Sequence, residues 1–210
     1  MEAFLSKPLE FDFYEHEKIF LLGLGGGCDI ISTYSVQFLL DFGEKATLIY
    51  GNTKRSHDKD MQILTPHIWR LPEQRTSLID VRMNGKVTTI DRSIPRGDQG
   101  CPFIIQCTKQ ARDTLPNEIE SLGFDLVIGI DSGGDAIVEG AISGTQGRDK
   151  EMVTILKRLD IPFMILILGP GCDGESREEQ ILQSFQAQKR RGKYLGSISL
   201  DPLIPHFEDL

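Results

Sequence analysis

The chain is predicted to fold as an α/β domain, with a mostly parallel sheet between two layers of helix and a β-hairpin insertion. Three observations predict it. Apolar runs of strand length alternate with stretches of helical period. The runs are apolar at nearly every residue rather than at every second one, as in strands buried on both faces. Three of them end in Gly plus Asp: Lys18-Ile-Phe-Leu-Leu-Gly-Leu-Gly-Gly-Gly-Cys-Asp29, Leu126-Val-Ile-Gly-Ile-Asp-Ser-Gly-Gly-Asp135 and Met164-Ile-Leu-Ile-Leu-Gly-Pro-Gly-Cys-Asp-Gly-Glu175. In parallel sheets ligands collect at the carboxyl ends of strands, so all three corners are expected to face one crevice.

The elements follow in order. Residues 1–17 mix aromatics with acids and are expected to form an arm on the surface of a single domain spanning 1–210. Lys18 to Gly23 is the first strand. Ile30 to Phe42 carries apolar residues close to helical spacing and stops at Gly43. Ala46 to Tyr50 is the second strand, ended by Gly51-Asn52, with a polar loop from Thr53 to Asp60. Within 75–90, Ser77–Arg82 and Lys86–Ile90 flank Asn84-Gly85, a pair suited to a type I′ turn because both central residues of that turn need positive φ. After a Gly, Pro and charge-rich loop, Phe103 to Leu115 and Asn117 to Leu122 read as helical. Asp149 to Leu159 has acids early and Lys157-Arg158 late, matching the helix dipole. Ser176 to Arg191 opens on Ser176, has Glu178-Glu179 in its first turn and closes on Lys189-Arg-Arg191 before Gly192. From Tyr194 onward the chain reads as irregular with one short strand.

Composition narrows the function. At 210 residues and 26% charged residues, the chain can bury a sizeable core without disulfide or metal staples. The net charge of −8, with no basic stripe, argues against nucleic acid. No apolar run approaches the roughly 20 residues a bilayer requires. The first residues lack the basic start and apolar centre of a signal peptide, so a cytoplasmic protein is expected. Cys28, Cys101, Cys107 and Cys172 form no Cys-x-x-Cys pair. Cys28 and Cys172 each precede the Asp of their corner, where a small side chain suits a close backbone approach and a thiolate at a helix start is the sharper alternative.

Familiar catalytic patterns are missing. Gly23-x-Gly25 is followed by Cys28 at the last position of a dinucleotide fingerprint, and Tyr50-Gly51-Asn52 lacks the acid that would hold a ribose. Neither a Gly-Lys-Ser/Thr phosphate loop nor a Gly-x-Ser-x-Gly elbow occurs, and His16, His57, His67 and His206 stand outside the Gly–Asp corners.

What remains is a set of acids: Asp29, Asp131, Asp135, Asp149, Asp173 and Glu175. Each alone is explained as a helix cap. Converging, they would repel one another unless a cation or shared protons relieved them, and hard carboxylate oxygens suit Mg²⁺ with a substrate phosphate. The expected site therefore has Asp131, Asp135 and Asp173 as Mg²⁺ ligands. Asp29 or Glu175 would position or deprotonate a water. Gly25, Gly26, Gly27, Gly133, Gly134 and Gly171 would cradle phosphate with backbone N–H groups, helped by Asn52 and Arg148. The expected activity is that of a Mg²⁺-dependent hydrolase, or a phosphotransferase, acting on a small phosphorylated metabolite or nucleotide. The alternatives are a non-catalytic nucleotide sensor, a nicotinamide (NAD-type) oxidoreductase, and a structural module whose acids are only caps. Neither nucleic acid nor membrane is an expected partner, and a homodimer is left open.

Gly23-Leu-Gly-Gly-Gly-Cys-Asp29, Asp131-Ser-Gly-Gly-Asp135, the Gly147-Arg-Asp149 helix start, Gly169-Pro-Gly-Cys-Asp-Gly-Glu175 and Tyr194-Leu-Gly196 together resemble the family catalogued as domain of unknown function 1152. The resemblance runs from about Lys18 to about Gly196, and its Gly-Pro-Gly-x-Asp-Gly-Glu block is the specific part. Where this chain has Cys28, the family more often has a fourth consecutive glycine. The resemblance implies a Rossmann-like α/β domain whose signature residues are glycines and acids, and it supplies no reaction.

Overall fold

The structure, a computed structural model, describes residues 7–25, 29–54, 59, 61–71, 80–83, 86–89, 103–108, 110–138, 147–172, 174 and 176–198. Its first strand, β1 (Lys18–Gly23), leads into α1 (Asp29–Leu39), which returns to β2 (Thr47–Lys54). A short antiparallel pair follows, β3 (Gln62–Thr65) and β4 (Ile68–Arg70), and then a separate two-stranded ribbon, β5 (Asp80–Met83) and β6 (Lys86–Thr89). Beyond it come β7 (Phe103–Gln106), α2 (Leu115–Ser121), β8 (Leu126–Ser132), α3 (Gly147–Leu156), β9 (Phe163–Leu168) and α4 (Glu178–Arg190).

The main sheet has seven strands in the order β3-β4-β7-β2-β1-β8-β9. The five from β7 to β9 are mutually parallel, and β4 and β3 extend one edge in antiparallel sense. β1 pairs with β2 on one side and with β8 on the other. The chain thus moves outward from β1 through β2, and later resumes at β8 on β1's opposite side. The gap between the carboxyl ends of β1 and β8 is the switch point, where open α/β sheets place their ligands.

Strand side chains alternate between the two faces. Ile19, Leu21, Ile128 and Ile130 pack with Ile30, Tyr34 and Val36 of α1. Phe20, Leu22 and Val127 pack with Ile119 of α2 and with Met152, Ile155 and Leu156 of α3. Phe20 stacks on Phe124 with ring centroids 4.5 Å apart, closing the second core beneath the loop into β8. Gly51 has to be glycine because a Cβ there would stand 2.5 Å from the Phe20 ring.

The mixed α/β architecture with a largely parallel sheet agrees with the expectation, and so does the ribbon, whose register joins Met83 to Lys86 across positions 84 and 85. Asn84 and Gly85 themselves lie outside the described residues. Other expectations are corrected. Residues 103–106 form β7 rather than the start of a helix: Phe103, Ile104 and Ile105 are all buried between layers, and an apolar run this short carries no period that separates strand from helix. β2 continues through Asn52 and Thr53 to Lys54 because β7 supplies the pairing partner for its end. The β3–β4 pair was not anticipated; it is built around buried Trp69, which packs with Met61, Leu71 and Ile104. α4 starts at Glu178 after Arg177, whose N–H donates to Gln180 Oε1 at 3.2 Å, so Ser176 precedes the cap. Residues 7–10 bond to the C-terminal segment: Glu10 N–H donates to Leu195 O, and Ser197 N–H donates to Lys7 O. Among the described residues no helix is long and apolar enough to cross a membrane.

Candidate functional site

The carboxyl ends of β2, β1 and β8 lie side by side, with Asn52 paired to Gly23 and Gly23 to Ile130. Alternation then sorts the next side chains. Asn52 and Ser132 fall on the α1 face, whereas Thr53, Leu24 and Asp131 fall on the α3 face. Leu24 extends β1 past its last residue, since its N–H donates to Ile130 O at 2.9 Å and Thr53 Oγ1 donates to its carbonyl.

On the α3 face, three acids meet. Asp131 ends β8, Asp135 opens a 3₁₀ turn after Gly133 and Gly134, and Asp149 stands in the first turn of α3. All three are buried, and one carboxylate oxygen of each lies within 4.8 Å of the others. Gly133 and Gly134 have φ of 105° and 102°, values that only glycine adopts readily, so this reversal from strand to turn depends on them. Burial, followed by the charges of Asp135 and Asp29, pushes the Asp131 carboxyl up to about 9. Burial, then the same two charges, pushes Asp149 up to about 8. Near neutral pH the metal-free cluster therefore holds protons that a cation would displace.

The loop after β1 lies directly against this cluster. A Cβ on Gly25 would collide with Asp149 Oδ1. That oxygen is buried without a hydrogen-bond partner, in a residue only 6% exposed. Arg148 Nε, one residue earlier, is likewise buried and unpartnered. Buried polar atoms are seldom left unpaired, so both suit a site that receives a ligand.

Asp29 has a different part from the one expected. One of its carboxylate oxygens accepts the Gly25 N–H at 2.7 Å, and the other accepts the Ser132 N–H at 3.2 Å. It ties the β1 and β8 corners together across the switch point. Burial raises its carboxyl to about 6 against the pull of these bonds. A carboxylate with both oxygens engaged is a strut rather than a free base, which corrects its assignment as the group acting on water.

The glycine expectations are also revised. The Gly25 N–H is taken by Asp29, the Gly133 N–H donates to Leu168 O at 2.9 Å, and the Gly171 N–H donates to Gly133 O at 2.6 Å. Those three amides join loop to loop and are not free to cradle phosphate. Gly134 packs against Ile181 of α4, where a Cβ would come within 3.3 Å of it. Asn52 is 1% exposed; its Oδ1 accepts the Thr53 N–H at 3.0 Å and its Nδ2 has no partner.

Of the predicted site residues, then, the structure brings Asp29, Asp131, Asp135, Arg148, Asn52, Gly25, Gly133, Gly134 and Gly171 to the same edge of the sheet. Gly26, Gly27, Asp173 and Glu175 lie outside the described residues. Asp149 was not among the expected ligands, although its place two residues after Gly147 at a helix start is a usable signal. Ser32 and Ser132, with hydroxyl oxygens 2.6 Å apart, were missed, and nothing local in the sequence marks them.

Fold and site together define an α/β protein with a parallel sheet and a buried acidic cluster at its switch point. The family model described as protein of unknown function (DUF1152) matches residues 101–206, half of the chain, and the chain belongs to that family. Neither a curated protein nor a solved structure matches it.

Proposed function

We propose that the chain is a Mg²⁺-dependent enzyme, most simply a hydrolase, acting on a small phosphorylated metabolite or nucleotide at the carboxyl edge of its sheet. The observation carrying this reading is that Asp131, Asp135 and Asp149 bury three carboxyl groups with oxygens within 4.8 Å of one another. An acidic cluster can be a set of caps, but caps do not account for Asp149 Oδ1, buried with no partner.

In this reading Asp131, Asp135 and Asp149 hold the cation, with Asp173 from the third Gly–Asp corner as a further candidate ligand. Bound Mg²⁺ would offset the mutual repulsion of the acids and stabilise negative charge on a phosphoryl oxygen. Arg148 offers its unpartnered Nε to a phosphate oxygen. Asp29 fixes the separation of the two loops through Gly25 and Ser132. The acid expected to deprotonate a water is Glu175.

Titration calorimetry with Mg²⁺, followed by a panel of nucleotides and sugar phosphates, tests the proposal. Wild type is expected to bind Mg²⁺ and to consume at least one member of the panel, and Asp149→Asn to lose both. Mg²⁺ binding that is the same in wild type and Asp149→Asn would sink it. A ligand that binds and is recovered unchanged after long incubation would move the reading to a nucleotide sensor.

A further inference from the structure

The crevice has two chemically different halves, separated by the plane of the sheet. The α3 face carries the acids. The α1 face at the same edge carries Asn52, Ser32 and Ser132, a set of amide and hydroxyl groups, together with the strut Asp29. This division follows from strand alternation: Ser132 is the neighbour of Asp131 in sequence, and Asn52 is the neighbour of Thr53, so each pair splits across the sheet.

Asn52 Nδ2 is a donor in a residue 1% exposed, and it has no acceptor. The amide cannot flip without Oδ1 giving up the Thr53 N–H that it accepts, and Oδ1 sits where a Cβ on Gly23 would come within 2.7 Å. The amide is thus held with its donor end unsatisfied. Ser32, one turn into α1, and Ser132 share a single hydrogen bond at 2.6 Å. The Ser132 side chain also bonds to the Asp29 carboxylate, so what the half-buried pair offers a ligand is the remaining lone pairs of its hydroxyl oxygens.

A second anion suits this half poorly. The positive end of α1 is already matched by Asp29, which is fixed there by two backbone N–H groups. The complementary group is uncharged, accepts from an amide and exchanges hydrogen bonds with hydroxyls. Sugar hydroxyls do both.

We propose that Asn52, Ser32 and Ser132 form a subsite for the hydroxyl-bearing sugar moiety of a phosphorylated sugar, the ribose of a nucleotide included. The inference rests on the metal-phosphate reading of the α3 face and narrows its substrate class. The sugar lies against α1, and its phosphate lies beyond the Asp29 bridge, toward Arg148 and the acids.

The test compares ribose 5-phosphate with inorganic phosphate, each titrated in saturating Mg²⁺, with the Asn52 side-chain amide followed by ¹H–¹⁵N spectroscopy. Ribose 5-phosphate is expected to bind wild type at least tenfold more tightly than phosphate and to shift the Asn52 amide signal, which phosphate leaves in place. Asn52→Ala should erase most of that tenfold margin while keeping Mg²⁺ and phosphate affinities within twofold. Ser32→Ala, at a half-exposed helix position that tolerates alanine, should reduce the margin severalfold even if the Asn52 variant folds poorly. Equal affinity for the two ligands, or a margin that neither variant changes, overturns the subsite while leaving the metal reading intact. Failure of wild type to bind Mg²⁺ at all overturns the metal reading and this inference with it.

Discussion

One carboxylate oxygen of Asp135 lies within 4.8 Å of one of Asp149, although the first residue follows β8 and the second stands in the first turn of α3. Two buried carboxylates this close repel one another, and burial together with that repulsion raises Asp149 to about 8, so the cluster keeps protons where isolated aspartates would have lost them. Gly25 leaves the room for Asp149, since a Cβ there would collide with Asp149 Oδ1.

The pH dependence of stability follows. Asp131 and Asp149 are raised to about 9 and about 8 in the folded chain, from an ordinary 3.8. Between those limits the folded state binds more protons than the unfolded one, so stability falls as pH rises from about 4 to about 9. Chelator-treated protein should therefore lose Tm steadily from pH 6 to pH 9, and Mg²⁺ should restore more Tm at pH 9 than at pH 6. Thermal melts across that range, with and without Mg²⁺, check both slopes.

Asp149→Asn removes one buried ionisable group while keeping the shape of the side chain. In metal-free protein the change should be nearly neutral at pH 7, where the carboxyl keeps its proton, and stabilising toward pH 9, where repulsion with Asp135 and Asp131 is relieved. Mg²⁺ affinity should drop by about tenfold or more, since Mg²⁺ depends on few protein carboxylates. A loss of about 1 kcal/mol in stability with Mg²⁺ affinity unchanged would instead mark Asp149 as a cap.

Asp29→Ala leaves the Gly25 and Ser132 N–H groups without their acceptor. Each buried orphan costs about 1–3 kcal/mol, so urea unfolding should show a loss of roughly 2–4 kcal/mol. Asp29→Asn retains one acceptor oxygen and should lose about half as much. Equal losses in the two variants would mean that the bridge between corners contributes nothing.

Gly25→Ala drives a methyl group into Asp149 Oδ1. The overpacking should cost about 1–3 kcal/mol and displace α3's first turn, lowering Mg²⁺ affinity beyond what stability alone explains. Gly147→Ala, where a Cβ meets nothing within 4 Å, is the control and should leave Mg²⁺ binding unaltered.

Far from the crevice, Glu118 of α2 accepts from the His67 N–H at 2.9 Å and pairs with His67 Nδ1 at 2.7 Å, holding the β3–β4 turn. Burial works to raise this carboxyl, but the bonds from His67 and Thr65 outweigh it and leave it below its ordinary value. Its contribution is therefore present above the ordinary carboxylate range and is lost as pH falls through its lowered pKa. Glu118→Gln should cost about 1–2 kcal/mol at pH 7, a difference that narrows toward pH 3 in urea unfolding.

The β1–α1–β2 unit, the parallel strands and the Gly–Asp corners at one edge were legible in the sequence because each is a local pattern: continuous apolar runs, a glycine stop, an acid where a strand ends. The edge built by β3, β4 and β7 was not. Four-residue strands are shorter than the window in which periodicity speaks, and β7 is a strand only because β2 and β4 flank it. The acids could be named from the sequence, but not their roles. Asp29 and Asp131 end similar corners, yet one is engaged by two backbone amides and the other, with a single amide from Ala136, is pressed against like charges.

By itself, then, the sequence determined that glycines and acids would gather at the carboxyl ends of parallel strands, since strand direction and turn chemistry are written locally. Only the tertiary structure decided that Asp149 joins Asp131 and Asp135, that three of the glycine amides hold loops together, and that the neighbours Asp131 and Ser132 serve opposite faces. Those outcomes depend on which distant segments are packed against each corner, and burial and charge at a point in space are set by all of them at once.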